Sequence, residues 1–308
     1  MSGLAQRVEE YLAIRRALGY KLVGEAQLLA SFVAYADQAG AGAVTTDLAV
    51  AWARQPASTS DVYLARRLRA VRSFARWLKT LDPATEVPPS DLLPNRKYRP
   101  TPLLYSDADV ASLMAAAREL SPPFRAATFE TLIGLLAATG LRVGEAMRLD
   151  RSDVDWANGV LVVRDSKFAK SREVLVHQST LEALRIYGRC RDHLCPAPAA
   201  PSLLVSTRGT RLLHPTVHGA FRQILRGAGL WQDSASSRPH IHGLRHSFAV
   251  RTLLGWYRDG GDVEARMPWL STYLGHVDPA ATFWYLSAAP ELLALAAERL
   301  ERAAGEVS

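Results

Sequence analysis

The sequence predicts a mainly α-helical protein in two parts: a small four-helix domain, then a larger mixed α/β domain with a small antiparallel sheet. Three observations carry this prediction. Apolar residues recur every three or four positions over most of the 308-residue chain. Two short β-rich runs, Val160 to Arg164 and Glu173 to His177, flank a polar turn that holds lysines, the pattern of a hairpin. Prolines crowd between Pro83 and Pro102 (Pro83, Pro88, Pro89, Pro94, Pro100 and Pro102), a density that stops any helix and marks a boundary.

In the first part, helical patterns cover Leu4 to Leu18, Glu25 to Gln38 and Asp47 to Arg54, broken at Gly19, Gly40 and Gly42. A fourth has an apolar stripe of Leu64, Leu68, Val71, Phe74 or Ala75, and Leu78, and Ser58, Thr59 and Ser60 offer N-caps ahead of it. Charge is concentrated here. Between Arg54 and Lys79 seven basic residues (Arg54, Arg66, Arg67, Arg69, Arg72, Arg76, Lys79) stand against one acid, Asp61, a surplus of six where the whole chain carries +7. Arg69, Arg72, Arg76 and Lys79 recur at helical spacing on a face of their own. A solvated face normally mixes signs, whereas a one-signed stripe repels itself unless phosphates lie against it. Arg66, Arg69, Arg72, Arg76 and Lys79 are therefore candidate contacts to the phosphates of a polyanion. The basic run Asn95-Arg96-Lys97-Tyr98-Arg99 suits an extended linker on a charged surface, which adds Arg96, Lys97 and Arg99. The expected division is residues 1–94, a linker at 95–104, and a second domain at 105–308.

The second part opens on Ser106-Asp107-Ala108-Asp109, a helix start, and stays helical to about Ala117. An apolar helix from Phe124 to Ala138 ends at Thr139-Gly140, and a short one begins near Val143. Beyond the hairpin the pattern is helical again from Thr180, interrupted by a Pro/Ala-rich loop at Pro196 to Pro201, and a terminal helix covers 291–304. Its stripe is Leu293, Ala296, Leu300 and Ala303.

Composition narrows the function classes. Hydrophobic residues make up 48% and charged residues 22%, enough apolar material for a core and against wholesale disorder. The basic balance suits a polyanionic partner. Two cysteines, Cys190 and Cys195, exclude a disulfide scaffold and a four-cysteine zinc site and fit a reducing cytosol. No apolar run approaches the ~20 residues that span a bilayer, and no leader is expected. The expectation is a cytoplasmic protein with no membrane partner.

Four short segments carry chemistry: Thr139-Gly140-Leu141-Arg142-Val143-Gly144-Glu145; Ser166-Lys167 in the hairpin turn, with Lys170 and Arg172 behind it; His242-Gly243-Leu244-Arg245-His246; and Leu274-Gly275-His276, followed by Tyr285. Taken singly each has an ordinary explanation, such as a helical ion pair, a solvated lysine or a packed tyrosine. The histidines at 240, 242 and 246 hint at a metal, but no further ligand stands at suitable spacing, so no metal site is expected.

In this order and spacing the segments closely resemble the tyrosine recombinase, or phage integrase, family, which breaks and rejoins DNA through a phosphotyrosine. The family's first-arginine box matches Arg142, its lysine between two strands Lys167, and its His-x-x-Arg box His242 and Arg245. Its His-or-Trp position matches His276, and its nucleophile Tyr285, nine residues further on. Phe283-Trp284-Tyr285-Leu286 and Tyr105-Ser106-Asp107 are similar to transposon-borne members, among them those of recombinase-in-trio elements.

The resemblance implies a set of roles. Arg142 and Arg245 clamp the non-bridging oxygens of a phosphodiester, for which planar guanidinium forks are matched, and His276 adds a donor. A tyrosine hydroxyl with an ordinary pKa near ~10 needs a base or cationic surroundings to attack. His242 helps accept its proton, with His246 a competitor. Lys167, ranked above Lys170, protonates the departing 5′ oxygen. Glu145, one turn after Arg142, orients a catalytic cation. The ester conserves the energy of the broken bond, so no cofactor, metal or nucleoside triphosphate is implied. The expected partners are double-stranded DNA and three further copies, in a tetramer that holds two duplexes through the terminal helix; a need for co-encoded recombinases is left open. Two rivals stay beside this reading: a catalytically silent DNA-binding accessory subunit, and a type IB topoisomerase-like enzyme.

Overall fold

The computed structural model describes residues 3–55, 60–92, 103–164, 171–231, 239–276, 278–288 and 290–305. The chain divides into two compact units, Met1–Arg99 and Pro100–Ser308.

Among the described residues, the first unit holds four helices: α1 (Gly3–Ala17), α2 (Val23–Gln38), α3 (Thr46–Arg54) and α4 (Asp61–Leu78). Thr45 caps α3 by accepting from the Leu48 amide. Ser60 occupies the N-cap position of α4, while Ser58 and Thr59 lie outside the described residues. Leu29, Phe32, Trp52, Leu68 and Phe74 meet in the core with no measurable exposure, and Tyr11 and Trp52 set their rings against Phe74 and Phe32. The apolar stripe of α4 thus buries as its period predicts.

Its arginines divide in a way the period does not foretell. Arg67 is buried, stacked 3.9 Å over the Trp52 ring and donating to the Trp52 carbonyl at 2.7 Å. Arg72 is half-buried and spends its guanidinium on the carbonyls of Pro88 (2.6 Å) and Pro89 (2.5 Å). Burial, then Arg76 and Arg69, hold its pKa below the usual arginine value. Arg66, Arg69, Arg76 and Lys79 are exposed. Arg96, Lys97 and Arg99 lie outside the described residues.

The second unit begins with α5 (Asp107–Arg118), whose Ser106 and Asp109 form a reciprocal capping box. It continues with α6 (Pro123–Thr139), α7 (Val143–Arg148) and a single 3-10 turn at Arg151–Asp153. The strands β1 (Val154–Asp155), β2 (Val160–Val163) and β3 (Arg172–Leu175) follow, then α8 (Gln178–Leu194), α9 (His214–Gly227), α10 (Gly243–Arg258), α11 (Val263–Leu274), α12 (Ala280–Ala288) and α13 (Pro290–Gly305). The sheet is antiparallel in the order β1-β2-β3, with Val154 opposite Leu161 and Val163 opposite Arg172. The hairpin is present, but its strands are shorter than the β-rich runs, and the two-residue β1 is added outside it.

Alternation along β2 and β3 turns Leu161, Val163 and Val174 into a core built around Leu113, Leu132, Ile133 and Val217. A second cluster joins α10, α11, α12 and α13 through Leu253, Met267, Leu274, Tyr285 and Leu292. Of the stripe expected of the terminal helix, Leu293 faces outward and Ala296 is half-buried, while the side chains of Leu300 and Ala303 lie outside what is described. Leu292 is 1% exposed and Leu293 is 55% exposed, so the first buried leucine of α13 is Leu292. In sequence the two leucines are indistinguishable; the choice is made by the rotation at which α13 meets α10. No single helix among the described residues is long and apolar enough to cross a membrane.

Candidate active site

Two helix ends deliver the arginines and histidines. α6 stops at Gly140, in the left-handed region (φ 61°), where a Cβ would run into the Phe248 ring. The chain reverses there and sets Arg142 at the N-cap of α7. α11 stops at Gly275 (φ 67°), where a Cβ would lie 2.7 Å from the Arg172 guanidinium, and His276 follows. Glycine at 140 and 275 satisfies both the backbone sign and the lack of room.

These ends meet through their carbonyls. Arg245, in the first turn of α10 and 2% exposed, donates to the carbonyls of Gly140 and Leu274, each at 2.7 Å. Arg142 donates from Nη2 to the Gly275 carbonyl (2.8 Å) and from Nη1 to Glu145 (2.7 Å). Each guanidinium has five N–H donors, so both keep donors beyond those that fix them. Burial first, and then the nearby Arg142 charge, pull Arg245 down to about 10, while Tyr285 and Glu145 act in the opposite direction.

Glu145 is the counterweight. It is 3% exposed and accepts from three sites: the Arg142 amide (3.0 Å), the Arg142 guanidinium, and both Nη atoms of Arg172 (3.1 and 2.8 Å). Burial alone would raise its pKa; the bonds and charge of Arg172, and then those of Arg142, outweigh burial and hold it at about 2. Arg172 opens β3 and also donates to the Tyr273 carbonyl (2.8 Å), so it fastens the outgoing strand of the hairpin to the end of α11. The sequence marks Arg172 only as a basic residue behind Lys170; nothing in its spacing shows that it shares a carboxylate with Arg142.

Tyr285 lies on α12 with 2% exposure, and its hydroxyl is 3.0 Å from His246 Nδ1. The His242 ring meets His246 edge to face at 4.6 Å. The His276 ring stacks over Tyr285 at 6.2 Å and is anchored by a 2.6 Å bond between its Nδ1 and the buried Thr282 hydroxyl. Of the six expected catalytic residues, five are linked by short contacts: Arg142 and Arg245 bond to carbonyls at the end of α11 beside His276, the His276 ring lies on Tyr285, and His242 packs on the His246 that meets the Tyr285 hydroxyl, with Glu145 behind Arg142. Lys167, and Lys170 with it, lie outside the described residues. His246 and Thr282 are the additions. The first is legible only as a histidine beside Arg245, and the second carries no signal except its helical spacing from Tyr285. Among the described residues no group of three or more His, Cys, Asp or Glu is placed to hold a metal ion.

Comparison with known proteins places this arrangement. The model of the phage integrase family matches residues 105–291. The chain is 43% identical to integrase/recombinase y4rB of Sinorhizobium fredii (strain NBRC 101917 / NGR234) over 98% of each chain. It is 29% identical to tyrosine recombinase XerC of Mycobacterium sp. (strain JLS), over 92% of this chain and 94% of that one. Among solved structures, the Tn1549 transposon integrase in complex with transposon right end DNA shares the fold with a TM-score of 0.70, at 17% identity over 99% of this chain and 100% of that one. The family model and these relatives set the chain among the tyrosine recombinases and integrases. The chain belongs to the phage integrase family, and site-specific recombination of DNA is its class of activity.

Proposed function

We propose that this chain is a site-specific recombinase of a mobile genetic element, cleaving and rejoining DNA through a 3′-phosphotyrosyl link to Tyr285. The observation that carries the reading is the buried Tyr285 hydroxyl, hydrogen-bonded to an imidazole within a pocket whose cations, Arg142 and Arg245, are fixed by backbone carbonyls. Fixed donors of this kind stabilise charge on the non-bridging oxygens without rearranging during the reaction. His276, held by Thr282, adds a donor to the same phosphate. Lys167 in the hairpin turn is assigned the proton for the departing 5′ oxygen, and Glu145 the task of holding Arg142 and the hairpin strand in place. The phosphodiester energy passes into the tyrosyl ester and back, so the scheme needs neither a metal nor a nucleoside triphosphate.

Residues 1–94 are assigned to DNA binding, 95–104 to a linker, and 105–308 to catalysis. The exposed Arg66, Arg69, Arg76 and Lys79 support backbone contacts along α4. A tetramer on two duplexes, joined by the terminal helix, completes the proposal, with co-encoded recombinases as further partners. The mobile-element role is supported by the integrase/recombinase relative and by the transposon integrase that shares the fold.

The test is a nicked suicide substrate bearing the element's end sequence, resolved by denaturing electrophoresis. Wild type is expected to give a covalent protein–DNA band and Tyr285→Phe none. A band that persists in Tyr285→Phe would move the nucleophile elsewhere, and no band with wild type on any cognate end would favour the accessory-subunit reading.

A further inference from the structure

Among the family positions the tyrosine proton falls to His242, with His246 as its competitor. We infer that His246 is the base that takes it. This rests on the phosphotyrosyl reading above and refines it at one atom.

The hydroxyl and His246 Nδ1 are 3.0 Å apart, within the reach required of a general base, and both side chains are buried, at 2% and 7% exposure. For Nδ1 to accept, the neutral ring must carry its proton on Nε2. The ring is held at a fixed angle by two neighbours: Trp284, 5.5 Å away and steeply inclined, and His242, 4.6 Å away and nearly perpendicular. Arg245, the residue before it, is tied to two carbonyls, so the first turn of α10 fixes the phosphate clamp and the base together. A one-residue step along a helix turns a side chain by about 100°, so Arg245 and His246 leave α10 on different faces, one toward the Gly140 and Leu274 carbonyls and the other toward Tyr285.

The step balances. The Tyr285 O–H bond breaks as the proton moves to His246 Nδ1, giving an imidazolium. The phenolate oxygen bonds to phosphorus, the bond from phosphorus to the 5′ oxygen breaks, and its electron pair leaves on that oxygen, which takes a proton from the acid assigned to Lys167. On rejoining, the imidazolium returns its proton to the departing tyrosine. His242 is then released from service as the base and is available to the phosphate.

Two substrates separate this role from packing. His246→Asn keeps a hydrogen-bonding atom close to the position of Nδ1 but cannot carry the proton. On the suicide substrate it is expected to form the Tyr285 adduct about 10²- to 10⁴-fold more slowly than wild type, with DNA binding retained. The second substrate is a strand ending in a 3′-p-nitrophenyl phosphate, presented with a 5′-hydroxyl strand to Tyr285→Phe protein. The nitrophenolate leaves without a proton, so adding His246→Asn to Tyr285→Phe is expected to change its release by less than about threefold. In a third arm, His246→Ala opens a space at the ring, and added imidazole should restore part of the tyrosine cleavage. Wild-type rates of adduct formation in His246→Asn would overturn the assignment. So would a parallel loss of tyrosine cleavage and nitrophenol release, which marks a structural role. If wild type itself forms no adduct, the phosphotyrosyl reading falls and this inference with it.

Discussion

The Tyr285 hydroxyl is useful only if the groups around it are already aimed, and the aiming is done by side chains with no chemistry of their own. Thr282 is the clearest case. It lies one turn before Tyr285 on α12, is fully buried, and fixes His276 through a 2.6 Å bond. Thr282→Val removes that bond and little else. Cleavage of the suicide substrate is expected to fall by about tenfold with unchanged DNA affinity, since a small misplacement of a donor costs rate before it costs binding. An affinity loss of the same size would instead mark Thr282 as part of the fold of α12. At this scale the boxes of fixed spacing pick out Arg142, Arg245, His276 and Tyr285, which the structure brings close to one another. The sequence is a poor guide to Arg172 and His246, whose partners lie far along the chain, and to Thr282, whose bond to His276 spans six residues across a break between helices. Arg172 reaches Glu145 across 27 positions and His246 reaches Tyr285 across 39.

Elements carry the electrostatics. Glu145 of α7 joins Arg142 to Arg172 of β3, so one carboxylate holds both the arginine box and the hairpin strand. Its pKa of about 2 lies below that of an unfolded glutamate, so its ionised form stabilises the fold. The contribution is fully present above pH about 4.5 and fades as pH falls toward 2. It is on the order of 3 kcal/mol at 1.36 kcal/mol for each tenfold change in proton affinity. Glu145→Gln leaves two guanidinium groups short of their anion. Its urea midpoint should lie well below that of wild type at pH 7, and the gap should narrow as pH drops through this range. A gap independent of pH would show that the carboxylate charge is not what holds the junction.

On α4, neutralising Arg69, Arg72 and Arg76 together would flatten the salt dependence of DNA binding by ~2.7 at ~0.9 for each phosphate contact. Arg72, however, is engaged with the Pro88 and Pro89 carbonyls. The cleaner variant is Arg69→Gln with Arg76→Gln, for which the slope of log K against log salt should fall by ~1.8. An unchanged slope would leave α4 a solvated face. Helix positions were legible here from caps and glycines, as Ser106, Gly140 and Gly275 illustrate. The occupation of Arg67 and Arg72 was not, because a guanidinium on a basic face can turn inward to a carbonyl or a ring without altering the periodicity.

For the whole molecule, the proposed assembly is tested by the side of α13 that faces outward. Leu292 packs against α10 of its own unit and Leu293 faces away at 55% exposure. If that face joins protomers on DNA, Leu293→Asp should leave binding to a single half-site within about threefold while abolishing cooperative occupation of two half-sites, read by gel shift. Equal cooperativity would confine α13 to its own unit. The two-part, mainly helical plan was open to sequence reading because it rests on local periodicity and on a proline-dense break. The side of the terminal helix that would meet a partner depends on packing over long separations, which periodicity does not encode.

The most direct measurement of the central claim is peptide mapping of the covalent product. Wild-type protein is trapped on a suicide substrate, the DNA is trimmed with nuclease, and the adduct is located by mass spectrometry. The account predicts one modified peptide, carrying a nucleotide through its 3′ phosphate on the oxygen of Tyr285. A nucleotide on any other residue, or one attached through a 5′ phosphate, would contradict it.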